Sequence, residues 1–286
     1  MKVKAAAKIN LALDVTGKLP NGYHAIESVF QTVELYDEVS VELTDGGIEL
    51  SCKVPHEFAS ADPIPCDERN IAYKAAKLFF EENGMDCGCR IHIKKGIPSQ
   101  AGMGGGSTDA AAVLYCLGEL TGESVSKPEK LGADVPFFLT GGTAYVEGIG
   151  ERITPAADYS GRILVIAKGR EGVSTAEAYR NVDSLEAPQH PETQKLAEAI
   201  ENAPDTAYRY FGNLFEQAVK LPEVDDIRDN MLKAHALSAV MTGSGSAVFG
   251  LFMSRGMAES CAEKLRKLGF FAEVCETVAE SFIIME

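Results

Sequence analysis

The run Ile97-Pro-Ser-Gln-Ala-Gly-Met-Gly-Gly-Gly-Ser-Thr-Asp-Ala-Ala-Ala-Val113 carries the strongest chemical signal in the chain. Gly102, Gly104, Gly105 and Gly106 leave the backbone bare, so an anionic oxygen can approach its N–H groups closely. A strand-like stretch, Cys89 to Ile93, leads in, and a helix is expected from about Thr108 to Leu120. A helix start aims unpaired N–H groups and the positive end of its dipole at the same spot. Ser107 and Thr108 can cap that helix, contact a phosphate or hold a Mg2+-bound water. The run reads as a loop for the anionic tail of a nucleotide, with a plain Gly-rich turn as the alternative. It is not a Walker A motif, because no Lys precedes Ser107. A G-x-G-x-x-G started at Gly102 or Gly104 meets Ser107 or Asp109 where the last glycine belongs. The protein-kinase signatures His-Arg-Asp and Asp-Phe-Gly are absent.

Phosphoryl transfer needs little more than a base or orienter, a cation, Mg2+ and a backbone cradle. Lys8 lies in Ala7-Lys-Ile-Asn-Leu11, where alternation puts Lys8 and Asn10 on one face, opposite Ala7, Ile9 and Leu11. That face is either the solvated side of an edge strand or a cation aimed into a site. Asp134 sits among small and apolar residues in Gly132-Ala-Asp-Val-Pro-Phe137. It reads as a turn former or helix cap, or, partly desolvated beside a lysine, as a base for a substrate hydroxyl. Gly243-Ser-Gly-Ser246 is a second small-residue loop, either an ordinary hairpin or a second backbone approach to phosphate or to the first loop. Tyr23 can stack on a flat base and His24 can read its edge, although an ordinary exposed turn explains the same residues.

Around these residues the chain has the make-up of a globular protein. Its 286 residues suffice for one large or two ordinary domains, with 45% hydrophobic and 24% charged residues. A net charge of −15 argues against nucleic acid or an anionic membrane as main partner, but not against a polyphosphate held by a local positive site. No run is apolar enough to span a bilayer, and no signal peptide opens the chain. Seven scattered cysteines show no paired metal spacing and suit free thiols in a reducing cytoplasm. Strands are expected over 1–13, over 29–43 with a break near Tyr36-Asp37, and over 48–52. A loop is expected over 55–67, a helix over 70–82 and a compact turn at 132–138. Beyond a boundary at 148–159 come a strand over 162–167, a loose connection over 183–205 around a helix at 193–200, and a helix over 224–234. Strands at 239–241 and 248–252, a helix carrying Met257, Cys261, Leu265 and Leu268, and strands at 270–275 and 281–285 complete the reading. Mixed elements without strict alternation indicate an α+β fold in two parts, 1–150 and 160–286.

Seven segments stand in the order of a known family: 7–13, Gly22-Tyr-His24, Asn70-Ile-Ala, 95–112, 132–137, Gly172-Val-Ser-Thr175 and Thr242-Gly-Ser-Gly-Ser246. Together they resemble the GHMP kinases, the small-molecule kinases that include galactokinase, homoserine kinase and mevalonate kinase, over nearly the whole chain. The resemblance implies an N-terminal α+β domain like domain 2 of ribosomal protein S5, a ferredoxin-like C-terminal domain and a site between them. It implies ATP and Mg2+ at Pro98, Gly102, Met103, Gly104, Gly105, Gly106, Ser107 and Thr108, with Asn70 and Lys95 near the adenosine and Ser107 nearest the metal. Within the family it points to the members that phosphorylate the 2-hydroxyl of a cytidine-diphosphate methylerythritol in non-mevalonate isoprenoid synthesis. Tyr23 and His24 would hold the cytosine, with Asn10 and Thr175 near the hydroxyl and phosphate end and Gly243 and Ser244 beside the substrate. Asp134 would be the base and Lys8 its electrostatic partner. A mevalonate-type or sugar acceptor, a nucleotide-binding homologue without catalysis and a structural protein are the alternatives, and the sequence leaves monomer or homodimer open. Two departures are visible. Residues 121–131 are too short and Pro-interrupted for the helix that relatives place there, and Met103 and Thr108 replace the usual Leu and Ser.

Overall fold

The computed structural model describes residues 1–55 and 64–286, so most of the loop expected over 55–67 lies outside the described residues. The first part contains β1 (Lys2–Lys18), β2 (His24–Thr44), β3 (Ile48–Lys53), α1 (Ile71–Asn83) and β4 (Gly88–Lys94). It continues with α2 (Gly105–Thr121), α3 (Val135–Thr140), β5 (Thr143–Gly148) and β6 (Arg152–Pro155). The second part contains β7 (Ile163–Lys168), α4 (Thr175–Val182), α5 (Thr193–Asn202), β8 (Gly212–Asn213), α6 (Phe215–Ala218) and α7 (Pro222–Lys233). It closes with β9 (Ser238–Met241), β10 (Val248–Phe252), α8 (Arg255–Lys267), β11 (Phe271–Glu276) and β12 (Phe282–Ile284).

The long antiparallel pair β1–β2 is the spine of the first sheet, which runs β12-β1-β2-β4-β3. The early half of β2 also pairs with β5 and its later half with β4. The break expected at Tyr36-Asp37 is instead a bulge. Ala6 pairs with Tyr36 and Ala7 with Val33, leaving Glu34 and Leu35 unpaired. Asp37 stays in the ladder because its charge is matched inside the protein, as described below. On one face of this sheet α1 and α2 bury Phe79, Phe80, Val113 and Leu117 against Val39, Ile91 and Ile93. The alanines at 110–112 allow α2 to lie close.

The second sheet has the order β11-β7-β10-β9, every pair antiparallel. Counted within this part, that is 4-1-3-2, with α7 and α8 on one face, the ferredoxin-like arrangement expected. Its other face packs Leu164, Ile166, Phe249 and Leu251 against Ile9, Leu11, Val29 and Val33 of the first sheet. The two parts therefore share a continuous apolar core. Three short strands bind them further. β6 extends the first sheet from beyond residue 150, β8 adds in parallel to β1, and β12 returns to pair with Val3–Ala5. The expected halves at 150 and 160 are thus crossed by the chain's own end. The connection over 183–205 carries the expected helix as α5, which buries Leu196 and Ile200, and α4, just ahead of it, is a helix that the sequence reading lacked. No helix among the described residues is long and apolar enough to cross a membrane.

Phe79 is fully buried between the helices and the sheet. Phe79→Ala is expected to cost about 3–5 kcal/mol, read as a lowered urea midpoint with the slope unchanged.

Candidate active site

Two adjoining cavities meet at Gly102 and Gly104. The first, of about 420 Å3, is bordered by Asn70, Lys95, Pro98, Gly102–Gly106 and Asp109. The second, of about 260 Å3, is bordered by Lys8, Asn10, Asp134, Thr175, Tyr179, Gly243 and Ser244. Residues from both ends of the chain thus form one continuous cleft.

The glycine loop owes its shape to two positive-φ glycines. Gly104, at φ 70°, takes the N-cap position of α2, so the helix begins at Gly105, three residues before the expected Thr108. The N–H groups of the first turn have no acceptor within the helix and are left for a ligand. Gly102, at φ 72°, lies against the second loop, where a Cβ would stand 2.2 Å from the Thr242 carbonyl oxygen. The earlier helix start corrects one expectation: Thr108 is fully buried within the first turn, its Oγ1 facing the interior without a partner, and it borders neither cavity. Ser107 is half-buried beside Gly132. Met103 is buried, and its carbonyl accepts from the Lys8 N–H at 3.1 Å, fastening the loop to β1.

Under the loop lies a buried ion triad. The Lys95 ammonium donates to Asp37 and, at 2.7 Å, to Asp109, while Asp37 accepts from the N–H groups of Gly96 and Ile97. Burial alone would push Lys95 down, but Asp109 and Asp37 outweigh it and hold the ammonium above its ordinary range. Burial pushes the Asp109 carboxyl well above the usual carboxylate range, against the pull of Lys95. Lys95 therefore braces the loop from beneath. Asn70 is likewise occupied: its Oδ1 caps α1 at the Ala72 N–H, and its amide donates to the Pro65 carbonyl. Both residues border the cavity, but their polar groups already have protein partners.

In the second cavity the Lys8 ammonium lies 3.6 Å from Asp134 Oδ2, 2.8 Å from Asn10 Oδ1 and 4.4 Å from the centre of the Phe30 ring. β1 is an interior strand here, so Lys8 is 4% exposed rather than on a solvated face. Its desolvation lowers its pKa, with Asp134 opposing the shift. Asp134 precedes α3, a short helix where a turn was expected, and Phe137 and Phe138 bury that helix against Phe30. This packing places Asp134 although α2 ends at Thr121 and only a 3₁₀ turn, Pro128–Lys130, separates it from α3. Thr175 Oγ1 and Ser244 Oγ, 3.0 Å apart, close the far side.

Tyr23 and His24 border neither cavity. Tyr23 is 61% exposed. The His24 ring stacks on Tyr179 at 4.6 Å, and its Nε2 lies 2.7 Å from Asp183 Oδ1. Tyr179 does border the second cavity, and burial and then Asp134 push its hydroxyl up to about 12. Sequence reasoning missed Asp37, Asp109, Tyr179 and Asp183. Asp37, which alternation puts on one face with Val39 and Val41, was the one with a readable signal.

Comparison with known proteins agrees with this geometry. The GHMP kinases N terminal domain matches residues 70–142, and the GHMP kinases C terminal domain matches residues 188–269. A curated 4-diphosphocytidyl-2-C-methyl-D-erythritol kinase of Clostridium botulinum (strain Eklund 17B / Type B) is 42% identical over 93% of this chain and 96% of its own. One from Clostridium tetani is 41% identical over the same shares. A crystal structure of 4-(cytidine 5'-diphospho)-2C-methyl-D-erythritol kinase superposes with a TM-score of 0.80 at 33% identity, covering 97% of this chain and 99% of that one. Homoserine kinase from Cytophaga hutchinsonii shares the fold, with a TM-score of 0.77 at 19% identity, covering 100% and 97% of the two chains.

Gly102→Ala puts a Cβ into the Thr242 carbonyl at a backbone angle that alanine resists. Nucleotide affinity is expected to fall by about tenfold or more in calorimetric titration. An unchanged Kd would show that the contact between the loops does not shape the cradle.

Proposed function

The chain belongs to the GHMP kinases, and we propose that its two cavities divide the reaction, nucleotide over the glycine loop and acceptor beside Lys8 and Asp134. Its activity is ATP-dependent phosphorylation of 4-diphosphocytidyl-2-C-methyl-D-erythritol, the activity for which relatives 42% and 41% identical are named. The observation that carries the residue assignment is the ion pair of Lys8 with Asp134, 3.6 Å apart in the second cavity.

In this reading the first-turn N–H groups of α2 and the bare backbone of Gly104–Gly106 hold the phosphates of ATP. The donor set suits a polyphosphate that brings its own Mg2+. Among the described residues no cluster of three His, Cys, Asp or Glu side chains stands ready for a metal. The phosphates, with the Ser107 hydroxyl beside them, would hold the ion, which neutralises phosphate charge. Asp134, 28% exposed on its side chain, takes the proton of the acceptor's 2-hydroxyl as that oxygen attacks the terminal phosphorus and ADP leaves. The Lys8 ammonium pairs with Asp134 and offsets the negative charge that gathers on the transferred group. Asn10, Thr175, Gly243 and Ser244 seat the acceptor's phosphate end, and Tyr23, His24 and Tyr179 receive its cytosine. The base pocket would form as the His24 ring leaves Tyr179. The seven free thiols fit a reducing cytoplasm.

Phosphate transfer from ATP to 4-diphosphocytidyl-2-C-methyl-D-erythritol should fall by about 10²–10⁴ in Asp134→Asn and in Lys8→Ala, with ATP binding retained. Transfer to mevalonate but not to the cytidine compound would overturn the acceptor. A second expectation concerns pH. Lys8 acts as an ammonium and its pKa is lowered by burial, so kcat should fall as pH rises through a value below the ordinary 10.5. Lys8→Arg should move that alkaline limb upward. A limb unmoved by the change would assign it to another group.

A further inference from the structure

Asn213 borders neither of the two cavities, yet all of its side-chain hydrogen bonding serves the segments around them. Its amide donates to the carbonyl oxygens of Met241, at 2.6 Å, and Gly243, at 2.8 Å, the residues on either side of Thr242. Its Oδ1 accepts from the N–H of Phe215, a residue bordering the acceptor cavity. Between the two gripped carbonyls, Thr242 faces Asn10. The Thr242 hydroxyl donates to Asn10 Oδ1 at 3.2 Å and accepts from the Asn10 N–H at 2.9 Å, and the Gly243 N–H donates to the same Oδ1 at 3.0 Å. Asn10 Oδ1 is also the acceptor for the Lys8 ammonium.

We infer that Asn213 is a positioning residue for phosphoryl transfer: by gripping the carbonyls around Thr242 it fixes Asn10 and, through Asn10, the Lys8 ammonium. The inference rests on the reading that Lys8 serves the transferred group. The connections form a closed ring. β8 pairs Gly212–Asn213 with Ala12–Leu13 of β1, Asn213 holds the 241–243 segment, and that segment returns to Asn10 on the same strand. A ring anchored at both ends on one strand has little freedom to let Lys8 drift. The same segment abuts the glycine loop, where a Cβ on Gly243 would lie 2.6 Å from the Gly102 carbonyl oxygen. Asn213 is 4% exposed, so removing its amide leaves two interior carbonyls without their donor, and they regain hydrogen bonds only if the segment moves.

The test is a double-mutant cycle on turnover, with melting temperature measured in parallel. Asn213→Ala should lower kcat by about tenfold or more while KM for ATP stays within about threefold. In the Asn10→Ala background the link to Lys8 is already cut. There Asn213→Ala should reduce kcat by less than about twofold further, although it still lowers the melting temperature. Equal fold losses of kcat in both backgrounds, or a raised KM with kcat intact, would overturn the inference. Should Asn213→Ala not fold, Thr242→Val carries the same cycle, since it removes only the hydroxyl between the gripped carbonyls and Asn10. Equal losses in both backgrounds count against the inference there too. Absence of turnover in the parent chain would overturn the underlying reading as well, whereas turnover with independent losses overturns this inference alone.

Discussion

One side-chain oxygen, Asn10 Oδ1, holds the cleft together. It accepts from the Lys8 ammonium, the Thr242 hydroxyl and the Gly243 N–H, and so fastens a cation of the first sheet to a loop of the second. The oxygen is buried, where hydrogen bonds are strong and an unpaired donor is costly. Burial works against the charge on Lys8, and Asp134 opposes that cost, with this oxygen and the face of Phe30 also against the ammonium. The shared apolar core between the two sheets has the same effect on a larger scale: it prevents the parts from sliding and thus keeps these hydrogen bonds in register.

The chain is strongly acidic, yet it presents a cradle for anions, and the buried triad shows how this is arranged. Lys95 lies under the loop with its charge matched by Asp37 and Asp109. It joins a strand, the entry to the loop and the first turn of α2 at one point. In the proposed reading the attraction for phosphate is left to backbone N–H groups and the helix dipole, which add no net charge to the fold. Lys8, on the other side of the loop, is the cation that borders the acceptor cavity.

The segment before Asp134 illustrates how local sequence and tertiary packing divide the task. It is too short for the helix that relatives place there. Asp134 reaches Lys8 all the same, because the aromatic residues that follow it, Phe137 and Phe138, are buried against Phe30. Placement comes from the C-terminal side of the residue, and the length of the N-terminal side is free to vary.

By itself the sequence determined the elements that local chemistry controls. Alternation at 1–13 made a strand with Lys8 and Asn10 on one face, and the glycines at 102–106 could make little other than a bare loop at a helix start. The family segments carried the fold, the activity and most of the residues around the cleft. Four matters were decided only in three dimensions. They were the bulge in place of a break before Tyr36, the interior position of Thr108, the commitment of Lys95 and Asn70 to protein partners, and the return of β12 to the first sheet. The bulge, the commitment of Lys95 and the return of β12 depend on partners far away in the chain, such as Ala6 with Tyr36, Asp37 with Lys95 and Val3 with Ile284. A three-residue shift of a helix start, or a carboxylate waiting across a sheet, leaves no trace in local spacing. The residue types state which charges and hydrogen bonds must be satisfied, and only the packed chain decides which partner satisfies them.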